Sequence, residues 1–247
     1  MVSDMSMKRW FKNFKHTLSK TLVLPAALFL AAGLFASCST LIGDTSKTGV
    51  DVSDNGQHVY ICALSKHIEE AHGVPNSIED FSNGDENPVG RETWSLGTLI
   101  LAGQHEALAD DDELVAAGKQ ILDGISNFHD EAISSGLEQV IKSCNNVAGV
   151  RAADPSHEGQ LDYACALGQR IDDEYGPAET WVEIEESPTW YEAFSAAALT
   201  GAWNNEIIDG QTEIFEAGDE LLAGLSVANT DTIDDALEAL HAACNEI

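Results

Sequence analysis

Positive charge is scarce in this chain. Twelve Lys and Arg stand against 42 Asp and Glu, a formal net charge of −30 over 247 residues. So acidic a surface repels phosphate backbones and anionic headgroups, which argues against nucleic acid as a partner and favours cations or basic proteins. The usual catalytic signatures are missing too: there is no GxSxG elbow, no HExxH and no Gly-rich loop ending in Lys-Ser or Lys-Thr. No CxxC spacing occurs, so a zinc ribbon or a dithiol redox site has no sequence support. Carboxylates are so numerous that any two could be nominated as a glycosidase pair, and the nomination carries no information. Sustained apolar alternation is absent as well, which removes the basis for expecting a sheet.

The cations that do occur are concentrated at one end. Lys8, Arg9, Lys12, Lys15 and Lys20 precede an uncharged apolar run from Leu22 to Ala36, which is followed by Ser37 and Cys38. A cationic stretch, a short apolar core and small residues at its end form the pattern of a secretory signal. The run is shorter than the roughly 20 residues that span a bilayer comfortably. Leu34-Phe35-Ala36-Ser37-Cys38 resembles the lipobox of bacterial lipoproteins, with Phe35 where that family usually carries Leu, Val or Ile. The resemblance covers the first 38 residues only. It implies that Cys38 is lipidated on its thiol and becomes the new N-terminus after cleavage, holding the protein on the extracytoplasmic face of a membrane. An uncleaved signal anchor is the alternative. The leader removes five of the 12 cations and one acid, Asp4, so the remainder carries 7 cations against 41 acids, a formal −34.

Besides Cys38, four cysteines remain beyond the leader: Cys62, Cys144, Cys165 and Cys244. An exported chain with an even number of thiols usually pairs them. The internal sequence suggests how. Cys62-Ala63-Leu64 opens a stretch that ends at Gly73, and Cys165-Ala166-Leu167 opens one that ends at Gly176, with Ile68 answered by Ile171. Further along, Glu113, Ala117, Gly118, Leu122, Gly124, Ser126, Ile133, Leu137, Glu138, Cys144 and Asn145 each recur exactly one hundred positions later. The match is looser in the middle, where Thr93-Trp94 is answered by Thr189-Trp190. The pattern reads as a tandem duplication, and only the pairs Cys62–Cys144 and Cys165–Cys244 give two equivalent units.

Periodicity within each unit is helical. Leu114, Ala117, Ile121, Leu122 and Ile125 fall on one face, as do Ile233, Ala236, Leu237, Leu240 and Cys244. Gly73 and Gly176, each followed by proline within two residues, read as helix stops. The expected fold is all-α: two helical-bundle modules of about four helices each, each closed by one disulfide. The expected boundaries are a signal peptide over 1–37, a flexible tether over 38–56, a first module over 57–147 and a second over 158–247.

Site candidates are few. Glu69 with His72, and Glu238 with His241, form ExxH pairs on expected helices, the spacing used by di-iron carboxylate bundles. With 42 acids and eight histidines in 247 residues, about 1.4 acid-x-x-His pairs arise by chance, and these two come from different units. Asp110-Asp111-Asp112-Glu113 reads as a helix N-terminus rather than a calcium loop, because the spaced ligands and glycine of an EF-hand are absent. Trp181, Trp190, Tyr191 and Trp203 make the second unit richer in aromatics and offer a surface for a cationic or hydroxylated ligand. No catalytic residue, metal ligand or cofactor is assigned. The expected role is a membrane-tethered, non-enzymatic binding protein, with a basic protein as a further possible partner. A cation- or metal-binding envelope lipoprotein and an envelope hydrolase are the alternatives.

Overall fold

The computed structural model describes residues 49–74, 89–181, 187–201 and 211–246. The leader, Cys38 and Trp203 lie outside these residues. Eight α-helices make up the described chain: α1 Asp54–His72, α2 Val89–Ala102, α3 Asp112–Asn127, α4 Asp130–Ser143, α5 His157–Tyr175, α6 Pro188–Thr200, α7 Thr212–Ser226 and α8 Thr230–Cys244. Short 3₁₀ turns join some of them, and no strand occurs among the described residues. No helix among the described residues is long and apolar enough to cross a membrane.

The helix boundaries follow from local chemistry. Ser53 caps α1 by accepting from the Gly56 amide, and Ser156 caps α5 by accepting from that of Gly159, both at 3.4 Å. Asp51 and Asp154 brace these caps, accepting from the Ser53 and Ser156 amides at 3.0 and 2.9 Å. Asp54 to Gly56, expected in the tether, are therefore the first turn of α1. Both expected stops are observed: Gly73 and Gly176 follow α1 and α5 at φ 75° and 65°, a left-handed region that suits glycine. Asp111 caps α3 by accepting from the Leu114 amide at 3.0 Å, so the acidic run before it does the work of a helix cap.

Packing is organised around α2 and α6, which lie against each other and are buried along almost their whole length. Small residues allow the approach. Thr98 and Ser195 share a hydroxyl hydrogen bond of 2.7 Å, and the Ser95 hydroxyl donates to the Ser195 carbonyl at 3.4 Å. Helices α1 and α3 flank α2, while α5 and α7 flank α6. Outermost, α4 packs on α3 and α1, and α8 on α7 and α5. The halves of the chain thus share one core within the unit Asp44–Ile247. Tyr60 of α1 and Tyr163 of α5 stack face to face inside it, with ring centroids 3.5 Å apart.

Disulfides join Cys62 to Cys144 and Cys165 to Cys244, the pairing expected from the sequence. Each ties the first helix of its half to the last. Close contact also relies on Gly124 of α3, where a Cβ would lie 2.7 Å from Ile133 Cγ1 and 2.8 Å from the Ile133 backbone nitrogen. Gly124→Ala should therefore lower stability by about 1–2 kcal/mol, the overpacking outweighing the helix propensity gained. Thermal unfolding checks this, and a melting temperature at or above that of the wild type would refute it.

A candidate metal centre

Of the three histidines of helix α1, two stand five residues apart, His67 inside the helix and His72 at its last position. Helix α2 begins beside them and presents Glu92 in its first turn, where the helix dipole favours a negative charge. The three side chains converge. His67 Nε2 lies 3.4 Å from Glu92 Oε1, and His72 Nε2 lies 3.1 Å from Glu92 Oε2. The Glu92 side chain is completely buried, whereas the two imidazoles are 20% and 19% exposed. Residue His72 itself sits at an exposed helix end, but its ring turns inward.

Glu92 is held from the other side of the molecule as well. The Gln160 side-chain amide of α5 donates to Oε1 at 2.6 Å and to the Pro155 carbonyl at 2.9 Å. Burial pushes the Glu92 carboxyl up, but His67, His72 and Gln160 together outweigh it and bring the pKa down to about 2. His67 is raised by its contact with Glu92, against the opposing effect of its own burial. His72 Nε2 approaches the other, buried oxygen of this carboxylate, Oε2, at 3.1 Å.

These donors fit a transition-metal ion. One donor atom from each of the three residues can be chosen so that all lie within 4.8 Å of one another. Nitrogen and oxygen ligands of a tetrahedral zinc at about 2.1 Å lie roughly 3.4 Å apart, close to the His–Glu distances here. Two imidazoles and one carboxylate suit zinc or iron(II) far better than calcium or magnesium. Gln160 supplies the outer-shell hydrogen bond that orients the carboxylate.

A different arrangement occupies the other half. Glu192 of α6 is buried with its side chain 2% exposed, and Arg170 NH1 of α5 lies 3.4 Å from its Oε1. Arg170 also donates to the Val52 carbonyl at 2.7 Å and to Glu174 at 3.0 Å, and its NH2 lies 3.4 Å from the Tyr175 hydroxyl. Burial pushes the Glu192 carboxyl up to about 7, with Arg170 opposing and Glu174, Glu106 and Asp54 adding to the rise. Burial likewise raises Tyr175 to about 12.

Apart from His72, the residues singled out from the sequence fall elsewhere. Glu69 and Glu238 are exposed, and His241 faces Asp172 at 3.9 Å, so the two ExxH pairs have different partners. Trp181, Trp190 and Tyr191 are buried, at 7%, 6% and 8% exposure. Trp181 donates to the Gly176 carbonyl at 3.0 Å and fastens the turn after α5. Trp190 packs against Tyr191 and Phe194, and Phe194 meets Trp94 across the α2–α6 contact. A Cβ at Gly201, just after α6, would run into the Arg91 guanidinium. An open depression of about 990 Å³, lined in part by Gln120, Phe128, His129, Glu131 and Glu138, shares no residue with the histidine cluster.

His67 and Glu92 were not legible as site residues. A spacing of five on one helix matches no ligand motif, and a glutamate among 42 acids carries no signal until it is found buried. Comparison with protein-family models, with curated proteins and with solved structures returns no match.

Proposed function

We propose that this protein is an exported, lipid-anchored envelope protein that binds a divalent transition-metal ion through His67, His72 and Glu92. The observation that carries the reading is the convergence of two imidazoles and a fully buried carboxylate at 3.1–3.4 Å. The metal-binding alternative thereby gains a site, while the general binding role keeps only its location and fold. Three protein donors leave a coordination position on a tetrahedral ion, beside rings that are partly exposed while His67 Nε2 and Glu92 Oε2 are themselves buried. The acidic surface raises the local concentration of cations around the molecule. A second reading, an envelope hydrolase, draws on that same open position, since zinc hydrolases keep one for water.

The two halves are read as products of a duplication, which the matching caps, stops and disulfides support. The leader supports export, and the two disulfides agree with an oxidising compartment. Anchoring predicts that Cys38→Ala leaves the protein unacylated and released from the membrane fraction. Fatty-acid labelling that still marked the Cys38→Ala protein would contradict the anchor.

Zinc titration of the detergent-solubilised full chain tests the site. One equivalent is expected, competed away by a chelator. His72→Ala, at an exposed helix end, should keep the fold and weaken binding at least about tenfold, the scale carried even by outer-shell partners. Equal binding by wild type and His72→Ala would reduce His67 and His72 to counter-charges for Glu92.

A further inference from the structure

Residues of α1 and α5 correspond at a shift of 103 positions. Asp51, Ser53, Gln57, Tyr60, Cys62, Ile68 and Gly73 are answered by Asp154, Ser156, Gln160, Tyr163, Cys165, Ile171 and Gly176. The capping hydrogen bonds repeat with the residues. Between α2 and α6 the structure favours a shift of 100 over the 96 that matched Trp94 with Trp190. Ser95 meets Ser195, and Trp94 meets Phe194, as residues related by a two-fold axis through the α2–α6 contact would. These two shifts carry Glu92 onto Glu192, His67 onto Arg170 and His72 onto Tyr175.

The geometry points to a single device used in two forms: we propose that Arg170 and Tyr175 stand where a second pair of metal ligands would stand, and that histidines at 170 and 175 would open a second metal site on Glu192. This rests on the metal reading of the first half. In each half a buried glutamate on the central helix faces the cationic side chain of the preceding helix at the same 3.4 Å, Nε2 of His67 in one case and NH1 of Arg170 in the other. A buried carboxylate needs a positive partner. Arginine supplies a permanent charge. Histidine supplies one only with a proton or a metal ion. The second half therefore keeps its clasp under a chelator, whereas the first half needs a proton or an ion for its own. Arg170 also reaches Asp54 at 4.0 Å, Glu106 at 3.8 Å and Glu174 at 3.0 Å. Its removal exposes a group of carboxylates to one another, which favours a cation in its place.

Zinc stoichiometry of the detergent-solubilised full chain decides it. Wild type should bind one equivalent and the Arg170→His/Tyr175→His variant two. Adding His72→Ala to that variant should return it to one. A double variant that folds, by its helical circular dichroism, and still binds one equivalent overturns the proposal and leaves the first site standing. Zero in wild type with one in the double variant supports it and overturns the metal reading of the first half. Zero in both overturns both. The reciprocal His67→Arg/His72→Tyr variant covers the case in which the double variant fails to fold. It should bind no zinc, and its melting temperature should be unmoved by chelator. A chelator-induced drop equal to that of wild type would overturn the proposal.

Discussion

Removing the Cys62–Cys144 bridge with Cys62→Ala/Cys144→Ala should destabilise the protein by about 4–5 kcal/mol, the chain-entropy value for a loop of this size. The bond closes 82 residues and joins α1 to the end of α4. Both cysteines are fully buried, so the alanines would also leave apolar space behind them. Cys165→Ala/Cys244→Ala should produce a loss of similar size, because its loop of 79 residues differs little on a logarithmic scale. Urea unfolding under non-reducing conditions measures both. A loss below about 1 kcal/mol would show that the open chain keeps most of the order the bridge imposes.

The metal-free protein should lose stability as pH rises from about 4.5 to 7. Glu192 drives the change, because burial lifts its carboxyl from 4.5 to about 7 despite Arg170. A carboxyl with a higher pKa in the folded than in the unfolded state binds its proton more tightly when folded. Its contribution is complete below the unfolded value and disappears as pH climbs through the folded one. A difference of this size corresponds to about 3 kcal/mol, or about 6–12 °C in melting temperature for a domain of this length. Glu192→Gln should flatten the curve across that window. Melting temperatures recorded between pH 4 and 8 in the presence of a chelator provide the check. A wild-type curve flat across the window, or a decline unaltered in Glu192→Gln, would contradict the assignment.

Much of the framework could be read before any coordinates. The helical stops at Gly73 and Gly176 were visible because a glycine closely followed by proline cannot continue a helix. The disulfide pairing was visible because only one of three combinations closes each repeated unit on itself, in two equivalent loops. The middle of the chain was harder to align. Trp94 and Trp190 attract attention as rare residues, yet the contacts link Trp94 with Phe194, so conspicuous side chains gave a shift four residues short. The aromatic-rich segment invited a binding role for Trp181, Trp190 and Tyr191. In the fold Trp190 and Tyr191 are buried on α6, a helix otherwise built largely of alanine and small residues, and Trp181 is buried against the turn after α5.

The sequence by itself determined the helical class, the positions of caps and stops, the cysteine pairs and the acidic surface. Each of these depends on residues close in the chain, on spacing or on composition. Only the tertiary structure decided which charges are buried and what faces them. Glu92 and Glu192 are ordinary acids in a chain of 42 until α2 and α6 are packed together at the centre. A carboxylate taken out of water must find a positive partner or give up its charge. Which partner it finds is set by the neighbouring helix, with His67 and His72 in one half and Arg170 in the other.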